Sequence, residues 1–253
     1  MDTKNIIAAI SLSAAVIILY TLFFQPTQKE INNQISDSEN IVSNNSEAPS
    51  LELIEQTPKI NREDAINASK RIKFENNNVL GSISLEGAVI DDLRFKKYKT
   101  ELNGNENIVL LNPRDVENGY IVETGWASNS KNIDLPNYNT IWNIKGNTVL
   151  TPISPITLSW TNNQNITFIK KISIDDQFLF TIKQSVMNST NNKYNFYTYG
   201  QIIRNKAPEI TNFYILHEGL LGVFDDNLIE EDYDDIQEKK YSITANSGWL
   251  GIT

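Results

Sequence analysis

Residues Ile6 to Phe24 form an unbroken run of nineteen positions with neither charge nor proline. At 1.5 Å rise per residue, a helix of this length spans about 28 Å, close to the hydrocarbon thickness of a bilayer. A helix satisfies its own backbone groups in lipid, so the run predicts a transmembrane segment. A cleaved signal would have a shorter apolar core followed by small residues. Here the run ends in Leu22, Phe23 and Phe24, and a cut at Ser11 or Ser13 would leave half of it behind. The expectation is an uncleaved signal-anchor over residues 1–28. Lys4 and the terminal amine precede the helix, whereas Gln25 to Gln28 carry no positive charge. Positive charge stays cytoplasmic, so the remainder is expected to be exported in a single-pass arrangement.

Residues 29–70 are rich in Asn, Ser, Gln and Glu and poor in large apolar side chains through about Pro58. They read as a flexible polar spacer, with a helical turn or a lead into the first strand at NREDAINASKRI, Asn61 to Ile72. The domain is expected over 71–253, long enough for one sizeable core. The absence of cysteine excludes disulfides and thiolate metal sites. A net charge of −9 argues against a nucleic-acid partner, since phosphate contacts need a basic face.

From Arg71 onward the pattern is that of strands. In ITLSW, Ile156, Leu158 and Trp160 alternate with Thr157 and Ser159. In NITFIKKISI, Ile166, Phe168, Ile172 and Ile174 share a face, and Lys170 breaks the pattern. Phe178, Phe180, Ile182 and Val186 continue it, and KYNFYTYGQII is dense in aromatics. Turn residues separate the runs at Asn162-Asn163, Asp175-Asp176 and Ser189 to Asn192. Short strands at this spacing, without a long amphipathic helix, predict a mainly β, antiparallel sandwich.

No catalytic constellation is evident. His217 is the one histidine, and its setting YILHEGLLGVF has no Gly-x-Ser-x-Gly elbow. The acidic run DDNLIEEDYDD, Asp225 to Asp235, lacks the turn glycine of a calcium loop and reads as a solvated loop. Asp91-Asp92 and Asp175-Asp176 are strand or turn neighbours, and strand neighbours point to opposite faces, so neither pair is a catalytic dyad by itself. Of the four tryptophans, Trp126, Trp142 and Trp160 are candidates for a ligand or partner cleft, against a core role for all four. No cofactor and no metal is expected.

An ordered series of motifs carries a resemblance. It runs through GSISLEGAVIDDL (Gly81 to Leu93), Tyr98, LLNP (Leu110 to Pro113), Gly125-Trp126, Leu135-Pro136 and Trp142. It continues with LTPISPITLSW (Leu150 to Trp160), ISIDDQFLF (Ile172 to Phe180), HEGLLGV (His217 to Val223) and GWLGIT (Gly248 to Thr253). With the anchor and linker in front, this series resembles the YidC membrane protein insertase family of Gram-negative bacteria. The resemblance implies an antiparallel β-supersandwich, similar to the galactose-mutarotase fold, preceded by one transmembrane helix. It implies a bacterial inner-membrane protein, not an enzyme, that aids insertion and folding of nascent membrane proteins. It further implies the lipid bilayer and the auxiliary subunits of the Sec translocon as partners.

Sugar-epimerising relatives of that fold use histidines and an acidic base. A chain with one histidine cannot supply a histidine pair, so the fold analogy does not imply sugar chemistry. The family's groove-forming membrane helices have no counterpart here, and the chain is expected to be the anchor and periplasmic part of a longer insertase. The alternative reading is a membrane-anchored sugar- or peptide-binding module that stacks ligand on Trp126, Trp142 or Trp160.

Overall fold

The computed structural model describes residues 60–130, 132–208 and 217–253. The apolar run, most of the spacer and the boundary between them lie outside the described residues. Among the described residues no helix is long and apolar enough to cross a membrane.

The elements in chain order begin with helix α1 (Arg62–Asn67), then β1 (Arg71–Glu75), β2 (Val79–Ser84), β3 (Ile90–Lys99), β4 (Asn107–Leu111) and β5 (Tyr120–Ala127). Next come β6 (Asn143–Lys145), β7 (Val149–Leu150), β8 (Ile156–Thr161), β9 (Ile166–Ile174) and β10 (Phe180–Asn188). The chain continues with β11 (Tyr197–Arg204), β12 (Gly219–Phe224), β13 (Asn227–Asp232), helix α2 (Tyr233–Glu238) and β14 (Gly248–Ile252). Among the described residues these strands form three sheets. The largest runs β11-β5-β3-β2-β1-β7, with β4 also on β3; the second runs β10-β9-β8-β6; the third is β13-β12-β14. The protein is mainly β, and among the described residues its strand pairings are antiparallel except for the short parallel contact of β1 with β7.

Alternation builds the core. On β9 the buried positions are Ile166, Phe168, Lys170, Ile172 and Ile174, with more exposed residues between them. On β8, Ile156 and Leu158 are fully buried and Trp160 is half-buried. These side chains meet Ile72, Phe74, Ile83, Trp126 and Trp142 from the larger sheet and its loops. Phe74 and Phe180 make an edge-to-face pair at 5.1 Å, joining β1 to β10. Each fully buried aliphatic or aromatic residue of this kind contributes about 1.5–3 kcal/mol by leaving water.

Helix α1 falls in the stretch read as spacer and is tied to the sheet. Asn61 caps it, its Oδ1 accepting from the Asp64 N–H at 2.9 Å, and Glu63 and Asp64 occupy its first turn. Ala65 is buried, and the Arg62 guanidinium donates to Asn112 Oδ1 at 2.8 Å and pairs with Asp92. A bulge between Ser82 and Ile83 pairs Ser82 with Asp92 and Ile83 with Ile90, so Asp91 has no cross-strand partner.

Candidate functional site

Lys170 sits on the inward face of β9 with 1% of its surface exposed. The side chain that breaks the apolar alternation is therefore as deep in the core as its isoleucine neighbours. Its Nζ donates to the Thr124 carbonyl of β5 at 2.6 Å and lies 3.4 Å from the Gly87 carbonyl. The ammonium stands 5.1 Å from the ring centre of Trp142 and 5.9 Å from that of Trp126. The two indoles stack at 6.1 Å, and their electron-rich faces partly replace the lost water. Burial holds the Lys170 amine down to about 8, with the Glu123 charge pulling the other way.

Glu123 explains that influence. On β5, Trp126 and Thr124 alternate with Glu123 and Gly125, so the carboxylate leaves the sheet on the opposite face from Trp126. It is nevertheless only 8% exposed. Arg114 Nη2 donates to its Oε2 at 2.7 Å, and the Tyr199 hydroxyl reaches its Oε1 at 3.5 Å. Tyr199, on β11, faces Gly125 in register, and its ring occupies the space where a side chain on Gly125 would sit. Burial and the adjacent Glu123 charge push its phenol up to about 12. The Arg114 guanidinium in turn lies 5.3 Å over the ring of Tyr138, a residue 55% exposed.

Between these groups is a narrow crevice without room for a water molecule, bordered by Glu123, Tyr199, Asn137, Gly87, Lys170 and Trp142. The Trp142 Nε1–H is buried and has no hydrogen-bond partner among the described residues. A second concavity, of about 600 Å³, is more apolar; Val122, Ile202, Phe224, Ile243, Trp249 and Leu250 contribute to it.

Of the three tryptophans anticipated as a cleft, Trp142 stacks on Trp126, and Trp126 and Trp160 meet at Phe168. Trp126 meets that ring edge-on at 5.2 Å and Trp160 lies tilted at 5.8 Å. Trp126 and Trp142 are each 2% exposed and spend their faces on each other, Phe168 and Lys170. Trp249 is apart from them on β14 and 54% exposed. His217 places Nδ1 3.2 Å from Asp232 Oδ1 and Nε2 3.1 Å from the Leu220 carbonyl, so both nitrogens are engaged within the third sheet.

The acidic pairs are also placed. Asp91 and Asp92 are both buried, and each meets its own arginine, Arg71 and Arg62. Ser82 links them, accepting from Arg71 Nε at 2.7 Å and donating to Asp92 at 2.6 Å. Asp175 closes a turn through the N–H groups of Gln177 and Leu179. Asp225, first of the acidic run, accepts the N–H groups of Asn246 and Ser247. Among the described residues no three His, Cys, Asp or Glu side chains converge to hold a metal.

The sequence reading missed Glu123, Arg114, Tyr138 and Tyr199, and saw Lys170 only as an interruption. That interruption was the available signal, because a lysine at an inward strand position must find partners across the core. The arrangement offers fixed donors, one carboxylate acceptor and an aromatic face. Those are the components of a binding surface; it holds no nucleophile set beside a base.

The family model for the YidC periplasmic domain matches residues 71–253. The chain belongs to the YidC periplasmic domain family. It is 57% identical, over 253 residues, to the membrane protein insertase YidC of Pelagibacter ubique, covering 100% of this chain and 45% of that protein. The Rickettsia bellii protein of the same description is 38% identical over 253 residues, covering 98% of this chain and 44% of its own length. That of Mesorhizobium japonicum is 39% identical over 196 residues, or 76% of this chain and 32% of that one. The chain thus spans less than half the length of these relatives. The YidC likeness runs through the strands that carry Glu123, Trp126 and Lys170, because the family match is continuous from β1 to β14.

Proposed function

We propose that this chain is the anchor and periplasmic part of a YidC-type membrane protein insertase. The match of the periplasmic family model over 71–253, together with 57% identity to an insertase across the whole chain, carries this reading. The run from Ile6 to Phe24 holds the protein in the bacterial inner membrane, with its N-terminus cytoplasmic and the β domain periplasmic. The domain, an antiparallel supersandwich of the galactose-mutarotase kind, works there as a rigid accessory body. Insertion of nascent membrane proteins draws on apolar burial and calls for no cofactor. The domain supplies contact surfaces, with auxiliary subunits of the Sec translocon as its partners. Its tightly interlocked core supports such a role, because a rigid body presents contacts without a large ordering cost.

The test is a chimera. The 253 residues replace the aligned part of the Pelagibacter ubique insertase, and the product is expressed in cells depleted of their own insertase. Radiolabelled client membrane proteins are expected to reach a protease-protected, inserted state, with residues 71–253 digestible in spheroplasts. A chimera that is membrane-bound and folded, yet leaves clients uninserted, would sink the proposal. So would a β domain that resists protease added to spheroplasts and is digested only in inverted vesicles.

A further inference from the structure

Resting on the reading of the domain as a contact body, we propose that the apolar concavity lined by β11 and β14 docks a cationic amphipathic segment of a partner protein. Such a segment carries leucine or aromatic side chains flanked by lysine or arginine. The concavity holds about 600 Å³. Val122 of β5 and Ile202 of β11 line it from the large sheet, and Phe224, Trp249 and Leu250 line it from the third. Glycines keep it open. Gly222 pairs with Leu250 and Gly248 with Phe224, so each large side chain stands beside a residue that has none. A Cβ built on Gly200 would meet only the Thr124 methyl, at 4.0 Å. Leu250 leaves 63% of its surface in water and Trp249 54%. Apolar surface left exposed and gathered into a concavity marks a contact site, whereas singly scattered apolar residues do not.

Charge selects the partner. Residues 217–253 carry nine aspartates and glutamates against two lysines, so most of the net charge of −9 lies in the stretch that supplies one wall. Among the described residues no lysine or arginine pairs with a carboxylate of that stretch; Asp232 meets His217 instead. Asp225 accepts the N–H groups of Asn246 and Ser247, two residues of the lining, which fixes one carboxylate beside the concavity. Arg204, two positions beyond Ile202, turns its guanidinium to the Tyr233 hydroxyl and the Thr253 carbonyl. Cations of a partner would therefore meet carboxylates without a competitor, and a field of one sign speeds the encounter. The same field repels an anionic lipid surface and a second copy of this face. An acidic rim around an apolar hollow thus fits a basic segment with apolar anchors.

Fluorescence anisotropy with the whole chain in phosphatidylcholine nanodiscs tests this, with empty discs as the blank. The labelled probes are three dodecapeptides. One alternates lysine with leucine and phenylalanine, one has glutamate in place of lysine, and one has serine in place of the apolar residues. The first is expected to bind saturably in the micromolar range, and the other two at least about tenfold more weakly. Gly200→Leu fills the open floor and is expected to weaken binding about tenfold or more, with an unchanged far-UV spectrum. Asp226→Asn combined with Glu230→Gln, both at exposed positions, is expected to weaken binding and to flatten its dependence on salt. Equal binding of the glutamate peptide, binding indifferent to Gly200→Leu, or no saturable binding would overturn the proposal. So would flotation of the discs with phosphatidylglycerol vesicles that Leu250→Ser abolishes, since that assigns the face to lipid. If Gly200→Leu fails to fold, peptide binding by the exposed Leu250→Ser variant decides in its place. Failure here leaves the chimera's insertion of clients untouched, so the two readings fail separately.

Discussion

The ammonium of Lys170 donates to the Thr124 carbonyl at 2.6 Å, so a side chain from an interior strand of one sheet crosses the core to the backbone of the other. The contact joins β9 to β5 through a charge that has left water almost completely. Desolvating an ammonium costs several kcal/mol, which carbonyls and indole faces return only in part.

The first prediction follows from that balance. Lys170→Met keeps an unbranched side chain, one heavy atom shorter, and removes the charge, so it is expected to leave stability unchanged or to raise it by about 1–3 kcal/mol. Lys170→Ala instead opens a hole beneath Trp126 and Trp142 and is expected to lose about 2–5 kcal/mol. Urea denaturation followed by tryptophan fluorescence at pH 7 measures both. A methionine variant as weak as the alanine variant would mean that the ammonium's bonds outweigh its desolvation.

A second prediction concerns pH. The Lys170 amine is held down to about 8 in the folded chain, against an unfolded value of about 10.4. A depressed folded value places the stabilising contribution above the unfolded value, and it is lost as pH falls toward 8. Wild-type stability is therefore expected to gain on the order of 3 kcal/mol from this group between pH 8 and about 10.4. Tyr199, pushed up to about 12, opposes this only at higher pH, because a raised folded value costs stability as pH climbs past the unfolded phenol value of about 10. Stability measured at pH 8, 9 and 10 is expected to rise in the wild type and to rise less in Lys170→Met. Parallel curves for the two proteins would rule out a titrating Lys170.

The legible and illegible parts of this fold divide along physical lines. Period-two alternation located β8, β9 and β10, because one face of each packs inward, fully on β8 and β9 and partly on β10. It also failed at instructive points. Lys170 obeys the period in position and breaks it in chemistry, so a hydropathy pattern alone leaves it unassigned. Asp91 and Asp92 are neighbours that a regular strand would send to opposite faces; the bulge at Ser82 and Ile83 buries both. Arg114, Glu123, Tyr138 and Tyr199 come from four separate segments, and no local spacing announces that they meet. The Asn61 cap and the two acids after it are a readable helix start, yet a six-residue helix in a polar stretch has no apolar period to confirm it.

A third prediction tests the paired acids. Asp91 is raised above the ordinary carboxylate range chiefly by burial, and Arg71 works against that rise. Removing the arginine leaves a buried carboxylate without its partner, a change that costs about 3–5 kcal/mol. Arg71→Met is expected to lose that much at pH 7. With Arg71 gone the folded value climbs further, so the lost stability returns as pH falls and Asp91 takes up a proton. The gap between wild type and variant is therefore expected to narrow from pH 7 to pH 5. A gap that widens over that interval would show that Arg71 does not answer Asp91.

The fourth prediction concerns Gly81, in the middle of β2. A Cβ built there would stand 1.9 Å from the Asp92 carbonyl oxygen of β3 and 2.6 Å from the tip of the Phe74 ring. Phe74 is 1% exposed and edge-on to Phe180, so it has nowhere to retreat. The Asp92 backbone is fixed by its pairing with Ser82 and by the Arg62 contact to its side chain. Gly81→Ala therefore has to separate β2 from β3 beside the bulge, at a cost beyond the roughly 1–3 kcal/mol of ordinary overpacking. The contrast is Gly146→Ala, where the added carbon meets no atom within 4 Å and only the positive φ of 83° opposes it. Thermal unfolding of the two variants is expected to show the larger drop in Tm for Gly81→Ala. The same or smaller drop there would mean that β2 and β3 can part without disturbing the core.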